Sequence, residues 1–213
     1  MKLDNKSLLL YAITDRTWLK ERTLPEAVEE AILGGATFIQ LREKNLSYDE
    51  FLKAAMEVKT ITDKYRVPFV INDNVDVAAA VGADGAHIGQ SDEEIRTARE
   101  KLGSDKIIGM SAGTVEEAVK AEQNGVDYLG VGSIFNTSTK LDARTVSIET
   151  LKKICESVSI PVIAIGGISE DNIHELAGTG IVGISVISAI FAQDDIKDAA
   201  SRLFKLTKQT VTF

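Results

Sequence analysis

The sequence predicts an α/β fold, a single-domain (β/α)8 TIM barrel over residues 1–213. Short apolar runs alternate with longer segments of helical period, which is the pattern of parallel strands joined by helical crossovers. Most runs are continuously apolar, as expected for strands that are buried on both faces. The eight runs are residues 8–13, 38–41, 69–71, 85–88, 107–110, 128–131, 162–165 and 182–186.

Helix boundaries between these runs carry their own signals. Three pairs fit the capping box, in which two side chains satisfy exposed backbone donors: Ser47 with Glu50, Ser91 with Glu94, and Thr114 with Glu117. Glycines that permit a left-handed helix end precede the following strands at Gly35, Gly82, Gly125 and Gly180. Eight strands alternating with eight helices in this length favour the closed barrel over an open doubly wound sheet.

The first strand also argues against the open-sheet alternative. A dinucleotide-binding sheet requires a Gly-x-Gly-x-x-Gly turn after that strand, but here it ends in Ile13-Thr14-Asp15-Arg16. The dinucleotide interpretation is therefore dropped.

Composition restricts the partners. The net charge of -8 argues against a general nucleic-acid or membrane surface, while leaving room for a local basic site that binds a phosphorylated small molecule. The single cysteine, Cys155, excludes an intrachain disulfide and a Cys-rich zinc site, and we expect it to be a small buried apolar side chain. The N-terminal residues show no signal-type apolar core, which predicts a cytoplasmic protein.

Two acidic positions follow neighbouring strands. Asp73, preceded by Asn72, comes after the third strand, and Asp92 comes after the fourth. Taken singly, Asp73 fits a helix cap and Asp92 complements a helix dipole. Together at the catalytic rim of a barrel they predict a Mg2+ site whose remaining positions go to a diphosphate and water.

Anion-binding groups follow the second strand in the run Gln40, Leu41, Arg42, Glu43 and Lys44. Alternate side chains of a strand face the same way, so Gln40, Arg42 and Lys44 are expected to share one face. Arg and Lys on that face suit a phosphate or diphosphate, and the alternative is a pair of solvated loop ions.

A second phosphate site is predicted on the opposite rim. The loop after the sixth strand carries hydroxyls and a cation at Thr137, Ser138, Thr139 and Lys140. Gly166-Gly167 and Ile187-Ser188 follow the last two strands, where barrel enzymes often hold a phosphate on backbone N–H groups. The alternatives are an ordinary polar loop and glycines needed only for tight turns. Two sites imply two phosphorylated small-molecule substrates.

The two histidines are not predicted to be catalytic or metal-binding residues. His87 is expected to be a packed or hydrogen-bonded barrel residue and His174 a surface residue on an amphipathic helix, and neither has a recognisable serine, cysteine or metal-site partner.

Five segments, residues 40–44, 72–73, 85–92, 137–140 and 164–168, closely resemble the thiamine-phosphate synthase family, in this order and over nearly the whole chain. The resemblance implies that an aminopyrimidine diphosphate and a thiazole phosphate condense to thiamine phosphate. In the family the diphosphate leaves first, and the thiazole nitrogen captures the resulting carbocation. The protein then stabilises the leaving group, positions the reactants and excludes water.

The resemblance also assigns roles by position. Gln40 to Lys44, Asn72, Ser111 and Lys140 would hold the pyrimidine diphosphate, with Ser111, Lys140 and Arg42 as the catalytic groups. Asp73 and Asp92 would hold one Mg2+ per active site. The thiazole phosphate would be held by Thr137, Ser138, Thr139, Gly167, Ile187 and Ser188.

Three positions depart from the family pattern. Gly113 stands where the family usually has a histidine, and Ser133 and Asn136 replace usual prolines, which bears on loop geometry more than on the reaction. The related thiazole tautomerase uses a histidine at that place, so its absence counts against tautomerisation. A non-catalytic phosphate-binding barrel is the third alternative, and the sequence leaves the oligomeric state open, a homo-oligomer included.

Overall fold

The structure, a computed structural model, describes residues 3–89, 92–137 and 145–211, and for residues 92–94 the backbone alone. Its centre is a closed barrel in which eight described strands pair in sequence order, all parallel, and β1 pairs with β8. The strands are β1 Leu10–Ile13, β2 Phe38–Leu41, β3 Phe69–Asn72, β4 Gly85–Ile88, β5 Ile107–Ala112, β6 Tyr128–Val131, β7 Val162–Ile165 and β8 Gly183–Val186. The predicted TIM barrel is confirmed.

Helices surround this barrel. Those described are α1 Leu24–Gly34, α2 Tyr48–Tyr65, α3 Val75–Val81, α4 Asp92–Leu102, α5 Val115–Gln123, α6 Ile148–Ser157, α7 Ser188–Phe191 and α8 Ile196–Thr210. Short 3-10 helices occupy Asn5–Leu8, Arg16–Trp18 and Ile173–Leu176. The expected α-helix between β7 and β8 is therefore wrong: His174 lies on a 3-10 helix, although it is exposed as predicted. Gly178 and Gly180, both at positive φ, follow this 3-10 helix before the chain enters β8.

Most boundary signals behave as expected. Ser47 and Thr114 form complete capping boxes, and all four predicted glycines have positive φ. The pair of Ser91 with Glu94 lies outside the described side chains. A further capping box, Thr23 with Glu26, opens α1 around Pro25 and was missed by the sequence reasoning.

Some strand limits differ from the prediction, and two of the differences affect the site. Residues 5–8 form a 3-10 helix, so β1 starts only at Leu10. β3 extends to Asn72 and β5 to Ala112, because their ladders with β4 and β6 continue to those residues. Asn72 and Ser111 therefore lie on strands, whose positions are fixed by hydrogen bonding on the sheet.

Buried side chains form two layers. The larger lies between strands and helices, and the smaller fills the barrel interior near the strand starts with Leu8, Tyr11, Ile13, Phe38, Val70, Ile107, Tyr128 and Ile163. This inner layer packs inside the barrel beneath the carboxyl ends of the strands. Among the described helices, none is long and apolar enough to cross a membrane.

Candidate active site

A cavity of about 650 Å³ opens at the carboxyl ends of the strands. Every strand contributes at least one lining residue, from Tyr11 on β1 to Ser185 on β8. This volume lies within the range that holds a drug-sized ligand or a pair of small substrates. The predicted rim of the barrel therefore carries a concave surface.

One wall is a line of polar side chains across β2 and β3. Gln40 is 2% exposed, and its Nε2 donates to Asn72 Oδ1 at 2.5 Å. Asn72 Nδ2 donates in turn to Asp73 Oδ2 at 2.6 Å. Asp73 has φ 59°, and the cap of α3 is Asn74, whose side chain accepts from Val77. The helix-cap explanation for Asp73 is therefore wrong.

The floor of the cavity carries a second polar line. Tyr11 Oη lies 2.6 Å from Gln40 Oε1 and 2.7 Å from Tyr128 Oη. Tyr128 Oη lies 3.0 Å from His87 Nδ1, and His87 Nε2 lies 3.0 Å from Ser111 Oγ. Burial raises the pKa of both tyrosines, so each phenol keeps its proton.

The expectation that His87 has no serine partner was wrong. His87 and Ser111 are 24 residues apart in sequence but lie on the adjacent strands β4 and β5. Sequence reasoning also missed Tyr11 and Tyr128 as members of the polar floor. The sequence feature that could have indicated this floor is Gly109, the β5 residue opposite His87. Only a glycine at that position leaves room for the ring of Tyr128 inside the barrel.

The five residues of the predicted anion-binding run lie in four different environments. Gln40 and Arg42 face the cavity, as their alternation requires. Leu41 is fully buried in the layer between strands and helices. Glu43 Oε1 accepts from Arg16 Nε at 2.5 Å, and burial raises the Glu43 pKa although Arg16 opposes that shift. Lys44 is exposed and does not line the cavity in the described structure.

The opposite wall brings together residues after β6, β7 and β8. Thr137, Gly167, Ile187 and Ser188 all line the cavity, whereas Ser138, Thr139 and Lys140 lie outside the described residues. Gly167 has φ 65°, and a Cβ there would collide with the backbone of the β6 loop. The glycine is thus needed for close packing of two loops, and it leaves its backbone open to the cavity.

The structure describes the side chain of only one of the two carboxylates that are predicted to bind Mg2+. Asp92 begins α4 just after β4, and its side chain is outside the description. Among the side chains that are described, no three of the His, Cys, Asp and Glu type gather into a metal-binding cluster. The role of Asp73 and Asp92 in binding a cation therefore stays a prediction.

The sequence comparisons with known proteins agree on one family. The sequence profile of a family described as thiamine monophosphate synthase matches residues 10–190. A thiamine-phosphate synthase of Ruminiclostridium cellulolyticum is 55% identical over 92% of this chain and 94% of its own. One of Clostridium acetobutylicum is 53% identical over 99% of this chain and 100% of its own.

A solved structure agrees with these sequences. Thiamine phosphate pyrophosphorylase from Pyrococcus furiosus superposes with a TM-score of 0.89 at 43% identity, covering 98% of this chain and 99% of that one. The profile match spans most of the barrel, including the strand ends that line the cavity. The chain belongs to the thiamine monophosphate synthase family.

Proposed function

We propose that the cavity joins an aminopyrimidine carrying a diphosphate to a thiazole carrying a phosphate, giving thiamine phosphate and free diphosphate. The observation that carries this proposal is the polarity of the cavity. A cation and amides, Arg42 with Gln40 and Asn72, face backbone and hydroxyl groups at Gly167 and Ser188 across one space. Two phosphorylated substrates placed at opposite rims would meet at its centre. Such a reaction is a transfer of the pyrimidine-methyl group.

The diphosphate, which is the leaving group, is proposed to bind at the β2–β3 side of the cavity, which we call the leaving-group end. Arg42 presents a planar fork that suits diphosphate oxygens and is worth more in a site that excludes water. Lys44 and Lys140 are the further cations proposed to contact the pyrimidine diphosphate. Asn72 and, from β5 across the floor, Ser111 are proposed to supply it with neutral hydrogen-bonding groups. No side-chain nucleophile is needed when the diphosphate departs before the new bond forms. The residues then act by positioning the two substrates and stabilising the departing anion.

Mg2+ fits the groups at this end. Asp73 has a carboxylate oxygen oriented by the amide of Asn72, and carboxylate oxygens are what a hard cation prefers. Asp73 and Asp92 are proposed to hold one ion per active site, each at the carboxyl end of a neighbouring strand. Bound there, the ion would offset negative charge on the diphosphate.

The nucleophile end is the β6–β8 side. Gly167 and Ile187 lie where backbone N–H groups can meet a phosphate, and Thr137 and Ser188 add hydroxyls at the same wall. Ser138 and Thr139 are proposed to complete that site. Holding the thiazole by its phosphate would direct its ring nitrogen toward the centre of the cavity.

The test mixes the purified chain with both substrates and Mg2+ and follows thiamine phosphate and diphosphate. Equal amounts of the two products are expected. Binding of both ligands without product would instead indicate a phosphate-binding barrel. Isomerisation of a thiazole carboxylate phosphate, with no condensation, would indicate the tautomerase. Either result would reject the synthase proposal.

A further inference from the structure

Seven side chains form one continuous hydrogen-bond network that crosses the barrel from β3 to β5. Each link lies between 2.5 and 3.0 Å. Its members, in order, are Asp73, Asn72, Gln40, Tyr11, Tyr128, His87 and Ser111. The network therefore connects the proposed metal end of the site to the serine at the other side of the floor.

Asn72 Nδ2 donates to Asp73 Oδ2, and Gln40 Nε2 donates to Asn72 Oδ1, so the geometry of the two amides fixes the direction of the first two links. Asn72 must turn its NH2 toward Asp73 and its carbonyl toward Gln40. Gln40 must then turn its own NH2 toward Asn72 and its carbonyl toward Tyr11. With the amide orientations set, Tyr11 has to donate its single proton to Gln40.

The direction continues through the two phenols. Tyr11 has donated its proton, so its oxygen accepts from Tyr128. Tyr128 has then used its only proton, so its oxygen accepts from His87 Nδ1. Both phenols stay protonated because burial raises their pKa values, which supplies one proton to each link. His87 must therefore carry its proton on Nδ1.

We propose that Asp73, acting through this network, holds His87 as the Nδ1–H tautomer and thereby makes His87 a positioning residue for Ser111. The bare Nε2 accepts the hydroxyl proton of Ser111 at 3.0 Å. Because its proton goes to His87, the Ser111 hydroxyl can act toward a ligand only as an acceptor. A phosphate oxygen has to compete with His87 for the serine proton, whereas a ligand amino group does not.

This consequence for the ligand rests on the proposed function, but the tautomer does not. It can be measured in the substrate-free protein, so failure of the tautomer and failure of the synthase assay are separate results. The chain has only two histidines, His87 and the exposed His174, and a His174→Gln variant assigns their signals. Long-range proton–nitrogen correlation NMR on isotope-labelled full-length protein distinguishes a protonated ring nitrogen from a bare one.

The wild-type spectrum should show His87 with a protonated Nδ1 and a bare Nε2. In Tyr11→Phe, Tyr128 loses its acceptor and should donate to Nδ1, which moves the His87 proton to Nε2. The matched control is Tyr65→Phe, which removes a hydroxyl that binds Glu29 away from the barrel floor, and it should leave His87 unchanged.

Asp73→Asn tests whether Asp73 sets the direction of the network. An amide at this position can donate a hydrogen bond to Asn72 as well as accept one. This variant should show a measurable Nε2–H population of His87, and the exposed control Asp76→Asn should not. A dominant Nε2–H form, an even mixture, or a ring protonated on both nitrogens in the wild type would overturn the proposal. So would an unchanged tautomer in Tyr11→Phe or in Asp73→Asn.

Discussion

The imidazole of His87 and the hydroxyl of Ser111 face each other across β4 and β5, with Nε2 and Oγ 3.0 Å apart. Both residues line the cavity, so the serine is oriented by a group that is itself part of the site. If Ser111 contributes a hydrogen bond to a charged group during the reaction, its loss costs about 1.5–3 kcal/mol. Ser111→Ala is therefore expected to lower kcat by roughly 10- to 100-fold.

The control for this change is Ser157→Ala, which removes an exposed serine that donates to a backbone carbonyl on α6. Steady-state kinetics of both variants, together with melting curves, separate catalysis from stability. Unchanged kcat in Ser111→Ala would contradict the assigned role.

Arg42 and Lys44 are predicted to differ in importance because only Arg42 lines the described cavity. Arg42→Ala should raise KM for the pyrimidine diphosphate or lower kcat by roughly 10- to 100-fold, the range expected for a lost charge-assisted hydrogen bond. Lys44→Ala, with an exposed side chain, should have a smaller effect. Equal losses in the two variants would show that Lys44 reaches the diphosphate during turnover.

Asp73→Asn is predicted to raise the Mg2+ concentration needed for half-maximal activity by at least about 10-fold, as found when groups around metal sites are changed. The matched control is Asp76→Asn. Asp76 lies three residues after Asp73, and its exposed carboxylate is paired with Lys101. Asp92→Ala should behave like Asp73→Asn with the fold intact. Full activity of either site variant at low Mg2+ would refute its metal role.

The architecture was predictable because each local signal pointed to the same repeating unit. Capping boxes at Ser47 and Thr114 and the left-handed glycines Gly35 and Gly82 are decided by residues within a few positions of each other. The crossover between β7 and β8 was not predictable in the same way, since a 3-10 helix and an α-helix bury the same apolar positions over one turn.

The site was predictable where strand alternation decides it and unpredictable where packing does. Gln40 and Arg42 share the cavity face because side chains alternate along β2. The contact of His87 with Ser111 depends on the register between β4 and β5 and on Tyr128 lying over Gly109. Register between distant strands leaves no local mark in the sequence, so the polar floor required the structure.

Gly109→Ala is predicted to destabilise the barrel, since a Cβ there would overlap the fully buried ring of Tyr128. The ring is confined by Tyr11 and Phe38, with centroids 5.9 and 5.8 Å away, so it cannot move without disturbing them. Overpacking of this kind costs about 1–3 kcal/mol. Urea unfolding should show that loss.

Gly113→Ala provides the control, because its added Cβ would meet neighbours only at 3.5 Å and beyond. Its free energy of unfolding should change by less than about 0.5 kcal/mol. Equal stability of the two alanine variants would contradict the packing argument.

Cys155 is predicted to react slowly in the folded protein. Its thiol is half-buried rather than fully buried as expected, and it packs against Gly180, where an added Cβ would lie 3.0 Å from the cysteine Cβ. Burial raises the Cys155 pKa from 9.0 to about 11, so the thiolate fraction near pH 8 falls by about 100-fold. Alkylation proceeds through the thiolate, and its rate should fall by about the same factor relative to the urea-unfolded chain.

Because Cys155 is the single cysteine, each labelling event reports this site, and Cys155→Ser supplies the background. The folded-state rate should rise with pH up to about the shifted pKa. Equal rates in the folded and unfolded chains would show that the thiol is not shielded by α6 and its neighbours.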